Sequence, residues 1–321
     1  MKKILSFILI CILSLSAFTF MGCNSNNETQ NVKYTIATPD GAPTMAVAGL
    51  MRDTNGYEST VISGADVAST LTKGEMDFVI APTNAGMKLA LAKGKYKILA
   101  TTSWGNLYLV GTTDIKPLEE CASAQEFLSQ LQGATIESIG TNQVPDISFK
   151  HLLSLASVAC TLNASVDAPT INASLKNGTA KYGILGEPAV TGALKSVTGL
   201  KRLASISDLW ASLVGTNFPQ ASVFVKTTLS EDTKAVNKFL NDLENSINYL
   251  NSSEANALEL GTYMEQRGDS TLKGALVKAS YLKMNQRFVL AKHCKQDIIN
   301  FVRVLGVTYT EDTHSWVFYG N

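Results

Sequence analysis

Few residues in this chain of 321 could carry out covalent chemistry. The histidines are His151, His293 and His314, and His293 is followed directly by Cys294. Neighbours on the helix predicted there point in different directions, so they do not form a nucleophile with its base. No GxSxG, P-loop, HExxH or GxGxxG context occurs. A hydrolase or synthase would have to rest on Asp40, Asp146 or Glu187. Each stands at a predicted helix start, where carboxylates usually cap backbone N–H groups. The cysteines lack CxxC or metal-type spacing, so Cys121, Cys160 and Cys294 read as small buried apolar residues, with a Cys121–Cys160 bridge as the alternative. The expectation is a binder with no catalytic residue, cofactor or metal.

Composition narrows what is bound. The 27 basic residues balance 27 acidic ones, which leaves no positive footprint for DNA or RNA. Apolar residues make up 45% of the chain, so it is not a disordered polymer. The length suits roughly two domains of ~150 residues.

Residues 1–22 read as a lipoprotein signal peptide. Lys2 and Lys3 supply charge, Ile4 to Phe20 is an apolar run, and Phe20-Met21-Gly22-Cys23 resembles a bacterial lipobox, in which the cysteine becomes the lipidated first residue. Ordinary cleavage and an uncleaved anchor helix are the alternatives. Residues 23–31 are polar and suit a flexible tether. No other apolar run approaches membrane-spanning length.

The positioning elements alternate. Val32–Ala37, Glu58–Ile62, Met76–Ala81, Tyr96–Thr102 and Leu107–Thr112 read as strands, with helices over Met45–Met51 and Asp66–Thr72. This alternation predicts an α/β fold with mainly parallel sheets. Later helices are expected over Glu231–Leu250, Ser253–Gln266 and Asp269–Met284. A repeat is also visible. Leu71 to Ile80 leads to Pro82 and a helix, and Leu175 to Ile184 leads to Pro188 and a helix, with an offset of 104 residues at both the leucines and the glycines. Each copy reads as helix end, glycine stop, buried strand, then proline at a new helix. The repeat predicts two similar lobes. Breaks at Asp114-Ile115-Lys116-Pro117 and Phe218-Pro219 place the crossings near 114 and 224, giving lobe 1 as 33–113 plus 225–321 and lobe 2 as 114–224.

Three motifs follow the lipobox in order: Thr38-Pro39-Asp40-Gly41-Ala42-Pro43, Gly186-Glu187-Pro188-Ala189-Val190-Thr191-Gly192-Ala193-Leu194 and Ser205-Ile206-Ser207-Asp208-Leu209-Trp210. Together they resemble the solute-binding proteins of bacterial ABC importers, in the group that includes alkanesulfonate, taurine and thiamine-precursor binders. The cysteine runs of some fungal pyrimidine-synthesis relatives are absent. The resemblance implies a type II periplasmic-binding-protein fold with a two-strand hinge. It also implies a monomer on the extracytoplasmic face of a membrane, working with an ABC permease on a small-molecule ligand. A sensor ectodomain and an enzyme of pyrimidine-precursor synthesis remain alternatives.

In open α/β sheets, ligands bind beyond the carboxyl ends of the strands, where helix N-termini offer free N–H groups. Those ends supply the candidate site: Asp40, Gly41, Ala42, Thr83, Asn84, Trp104, Asn106, Thr141, Asn142 and Glu187, with Gln143 a further donor. The arginines are Arg52, Arg202, Arg267, Arg287 and Arg303, and none lies in these loops. Sulfonates and phosphates commonly draw bidentate bonds from arginine. The loops therefore favour a neutral or cationic, flat, nitrogenous solute, such as a pyrimidine vitamin precursor or thiamine. Trp104 would stack on it and a carboxylate would neutralise it. A taurine-like anion held by helix N-termini is the alternative.

Cys23→Ser should release the protein from the membrane or leave the signal attached. Fractionation with radiolabelled palmitate reads this directly. A wild-type protein that keeps its signal, takes up no label and stays in the membrane would contradict lipidation at Cys23.

Overall fold

In a computed structural model, which describes residues 33–53 and 56–320, the chain forms two sheets. The expected signal peptide (1–22), Cys23 and the tether (23–31) lie outside the described residues. The strands are β1 (Tyr34–Pro39), β2 (Tyr57–Ile62), β3 (Phe78–Pro82), β4 (Tyr96–Ser103), β5 (Leu107–Gly111), β6 (Thr135–Ile139), β7 (Thr161–Val166), β8 (Tyr182–Gly186), β9 (Lys201–Ser205), β10 (Ala221–Lys226) and β11 (Gln286–Leu290).

The helices of the first lobe begin with α1 (Ala42–Asp53), α2 (Val67–Lys73) and α3 (Thr83–Lys93). The second lobe contributes α4 (Ala124–Ser129), α5 (Val144–Leu155), α6 (Ala168–Asn177), α7 (Ala189–Ser196) and α8 (Ile206–Val214). The chain ends in α9 (Thr233–Ser252), α10 (Glu254–Arg267), α11 (Gly274–Ser280), α12 (Lys295–Val304) and α13 (Glu311–His314).

The strand orders are β11-β4-β10-β3-β1-β2 and β7-β6-β8-β5-β9. Aligning β1, β2, β3 and β4 with β6, β7, β8 and β9 superposes the two orders, with β10 and β5 in matching places. The repeat is thus structural, and β3 and β8 keep the 104-residue offset at both ends. Gly74 and Gly178, the two glycine stops, both take the left-handed conformation that ends a helix, at φ 70° and 73°. In each sheet β10 or β5 runs antiparallel to both neighbours, while β1, β2 and β3 pair parallel, as do β6, β7 and β8.

β5 and β10 correct the expected lobe boundaries. Residues 107–111, expected in lobe 1, pair with β8 and β9 in the second sheet. Ala221–Phe224, expected in lobe 2, pairs in the first sheet. The chain therefore crosses at Trp104-Gly105-Asn106 and again at 215–220. The proline and charged turns near 114 and 219 mark breaks in local structure, but hydrogen-bond pairing decides which sheet a strand joins.

Period-two alternation builds the core. Phe78 and Ile80 face a layer made by α1 and α9, while Val79 and Ala81 face the opposite cluster. Phe78 stacks on Phe239 of α9, with ring centroids 3.7 Å apart. α9 buries Val236, Phe239, Leu240, Leu243, Ile247 and Leu250 along one face, and Asp232 caps it by accepting from Ala235 N–H at 3.0 Å. Behind the crossings, Trp210 of α8, Phe218 and Phe301 of α12 meet edge to face at 4.8–5.6 Å. This apolar cluster joins the lobes on one side.

Two local expectations change. Helix α11 covers only Gly274–Ser280 of the expected 269–284, followed by a 3₁₀ turn at Tyr281–Met284. His293 closes a 3₁₀ turn and Cys294 precedes α12, so neither lies within an α-helix. Among the described residues Cys121, Cys160 and Cys294 are free thiols, and Cys121 and Cys160 are only partly buried. Burial pushes the Cys294 thiol up to about 11.

Candidate functional site

The carboxyl ends of β1, β3, β6 and β8 open onto a cavity of about 660 Å³. Six helices begin around it: α1, α2, α3, α5, α6 and α7. Pro43 and Pro145 lie in the first turns of α1 and α5, where a missing N–H costs least. The wall is mainly alanine, proline, valine and leucine, interrupted by the amides of Asn84, Asn106, Asn142, Gln143 and Gln220. No lysine or arginine and no aromatic residue lines it among the described residues.

Of the expected site residues, Asp40, Gly41, Ala42, Asn84, Asn106, Asn142 and Glu187 line this cavity. Thr83, Trp104 and Thr141 do not. The Thr83 hydroxyl is buried against Ser222 Oγ at 2.8 Å, and Thr141 Oγ1 donates to the Ala164 carbonyl at 2.8 Å. Trp104 is 4% exposed. Its indole N–H donates to the Arg287 carbonyl at 2.9 Å, and the Arg287 guanidinium lies 4.4 Å over its ring. It is therefore a packed component of the first crossing and offers no stacking platform. A tryptophan between serine and glycine reads as a loop residue in sequence, but Arg287 of β11, 183 residues later, supplies the cover.

Both carboxylates are engaged. Asp40 accepts from Gly41 N–H at 2.9 Å, Ser270 Oγ at 2.6 Å, Thr271 N–H at 2.9 Å and Thr271 Oγ1 at 2.6 Å. Four donors fill the roughly four lone-pair sites of a carboxylate. The same bonds bring in Thr271, Leu272 and Leu276, lining residues with no local sequence signal. Glu187 accepts from Thr191 N–H at 3.0 Å and pairs with Arg202, whose guanidinium stacks 4.6 Å over Tyr108. Burial pushes the Tyr108 phenol up to about 12, so it stays neutral and donates to the Lys283 carbonyl at 2.9 Å. Arg202 balances the charge of Glu187, whereas Asp40 is held by neutral donors alone. Asp146, the other carboxylate considered for catalysis, is fully buried. It accepts from Asn142 N–H at 2.9 Å and holds that residue at φ 57°.

The crossings form one edge of the cavity. Gly105, at φ 101°, sits where an added Cβ would come within 2.4 Å of Ser207 Cβ, so only glycine fits without displacement. Gln220 donates through its N–H to the Ser103 carbonyl at 2.9 Å, and its own carbonyl accepts from Thr83 N–H at 3.0 Å. Asn84, the next residue, has a buried Oδ1 without a hydrogen-bond partner among the described residues.

No family model and no curated protein matches the chain. Solved structures do. An ABC transporter protein from Parabacteroides distasonis has 22% identity and a TM-score of 0.70, over 88% of this chain and 95% of that one. The periplasmic aliphatic sulphonate-binding protein SsuA of Escherichia coli has 13% identity and a TM-score of 0.60, over 87% and 93%. The periplasmic nitrate-binding protein NrtA of Synechocystis PCC 6803 has 13% identity and a TM-score of 0.59, over 89% and 85%. With the matched strand orders, these likenesses establish the two-lobe type II periplasmic-binding-protein fold.

Arg202→Leu would strand a carboxylate whose side chain is fully buried. Breaking such a pair costs about 3 kcal/mol, whereas removing both charges costs less. Urea unfolding should therefore show Arg202→Leu losing more stability than Glu187→Gln/Arg202→Leu. Equal losses would mean that the pair carries no coupling.

Proposed function

We propose that this chain is the extracytoplasmic solute-binding component of an ABC importer, anchored through lipidated Cys23 and delivering a small molecule to a permease as a monomer. The observation that carries this reading is the cavity of about 660 Å³ between two lobes joined by two crossing segments. Such a volume suits one small solute. The similar structures named for an ABC transporter, for sulphonate and for nitrate support the same role. A binding role also suits a cleft whose carboxylates are engaged in holding the fold, since neither is placed to act as a general acid or base.

The solute we favour is an uncharged nitrogenous compound of the pyrimidine type, read by amides and an apolar wall. Neither ring stacking on Trp104 nor neutralisation by Glu187 supports the choice, since Arg287 covers the one and Arg202 pairs with the other. The lining amides and the lack of a lining cation do. The lobes, separated at 104–106 and 215–220, close on this solute.

Thermal-shift screening against pyrimidines, vitamins, aromatic amines and alkanesulfonates tests the ligand class. A solute at 100 times its Kd stabilises by about 2.7 kcal/mol. The expected hits are neutral pyrimidines, with alkanesulfonates silent. Hits confined to sulfonates would overturn the ligand class and leave the binding role standing.

A further inference from the structure

Asn106 and Gln220 come from different crossings, 114 residues apart, and their side chains bond each other. Asn106 N–H donates to Gln220 Oε1 at 3.0 Å, and Gln220 Nε2 donates to Asn106 Oδ1 at 2.7 Å. Amide orientation is usually a choice, but here chemistry dictates it. A backbone N–H can only donate, so it must face Gln220 Oε1. That turns Gln220 Nε2 toward Asn106, and Nε2 in turn requires Oδ1 there. Asn106 Nδ2 is then left with the Glu187 carbonyl at 3.5 Å, a marginal contact.

The backbones around this pair are held on both sides. Gln220 is tied to Ser103 and Thr83, and the Asn106 carbonyl accepts from Glu187 N–H at 2.9 Å. Neither side chain can reverse without breaking the reciprocal bonds. Each amide nitrogen carries two hydrogens. The pair engages one of Gln220 and none of Asn106 at short range, while each amide oxygen already accepts a strong bond. Both residues line the cavity, and Asn106 is 5% exposed.

We infer that Asn106 and Gln220 form a hydrogen-bond-donor floor that takes the solute by an acceptor group, a carbonyl oxygen or an unprotonated ring nitrogen. This rests on the solute-binding reading above. Asn84 also lines the cavity, and its Oδ1 is buried without a hydrogen-bond partner among the described residues. The solute edge that meets the floor thus carries an acceptor, as in a lactam or an aminopyrimidine. Because the floor spans both crossings, an acceptor seated on it also bridges the segments about which the lobes move.

The test records side-chain amide resonances of the full chain against millimolar acetone, an acceptor, and pyrrole, a neutral donor. Spectra of Asn106→Asp and Gln220→Glu assign the two residues. Acetone should shift both pairs of resonances, and pyrrole should leave them in place. In Gln220→Glu the new carboxylate draws Asn106 Nδ2 toward itself and leaves Oδ1 for the cavity. The acetone response should then weaken at least tenfold, with pyrrole now acting on Asn106. The wild-type comparison stands even if that variant does not fold. Pyrrole acting on the wild-type pair as strongly as acetone would overturn the donor floor. So would responses at Asn84 and Leu272 with Asn106 and Gln220 silent, which leaves the binding role intact. If no cleft resonance responds to these probes or to the pyrimidines of the thermal screen, the floor and the binding role fall together.

Discussion

Each sheet contains a strand delivered directly from the other lobe, and most of the architecture follows from that exchange. β5 enters the second sheet straight from β4, and β10 enters the first straight from 215–220. Both strands run antiparallel to their neighbours. The exchange brings the carboxyl ends of both sets of parallel strands to face each other, so the helix starts that follow them converge on one space. Gly105 and Gln220 hold the exchange together. One adopts a conformation few other residues tolerate, and the other bonds to Ser103, Thr83 and Asn106 at once. The Trp210–Phe218–Phe301 cluster packs between the lobes away from that space.

The two lining carboxylates both hold the fold, Asp40 through neutral donors and Glu187 through an ion pair. Asp40 secures the segment at Ser270 and Thr271, which carries part of the wall. Glu187 balances Arg202 beneath the start of α7. What remains for a solute is amide chemistry set in an apolar frame. Unsatisfied amides reject mismatched partners more sharply than apolar contacts do, so selectivity in such a site comes from matching donors to acceptors.

Much of this was legible in the residues. The Leu71 and Leu175 stretches announced a repeat, and the loops at Asp40, Asn84, Asn106, Asn142 and Glu187 do line the cavity. The misplaced features share a cause. The lobe boundaries were read from Pro117 and Pro219, yet sheet membership depends on pairing with strands far away. Trp104 looked available because its cover, Arg287, is distant in sequence. Thr271 and Leu272 were invisible as lining residues because only the bonds to Asp40 bring them near. Gln220 stood within a recognised turn, but its partner Asn106 could not be read from either neighbourhood.

The central claim is that two lobes close on one solute about the segments at 104–106 and 215–220. Small-angle scattering of the protein, with and without the pyrimidine that gives the largest thermal shift, tests it most directly. The account predicts a smaller radius of gyration at saturation. Superimposable curves with that pyrimidine fully bound would contradict it.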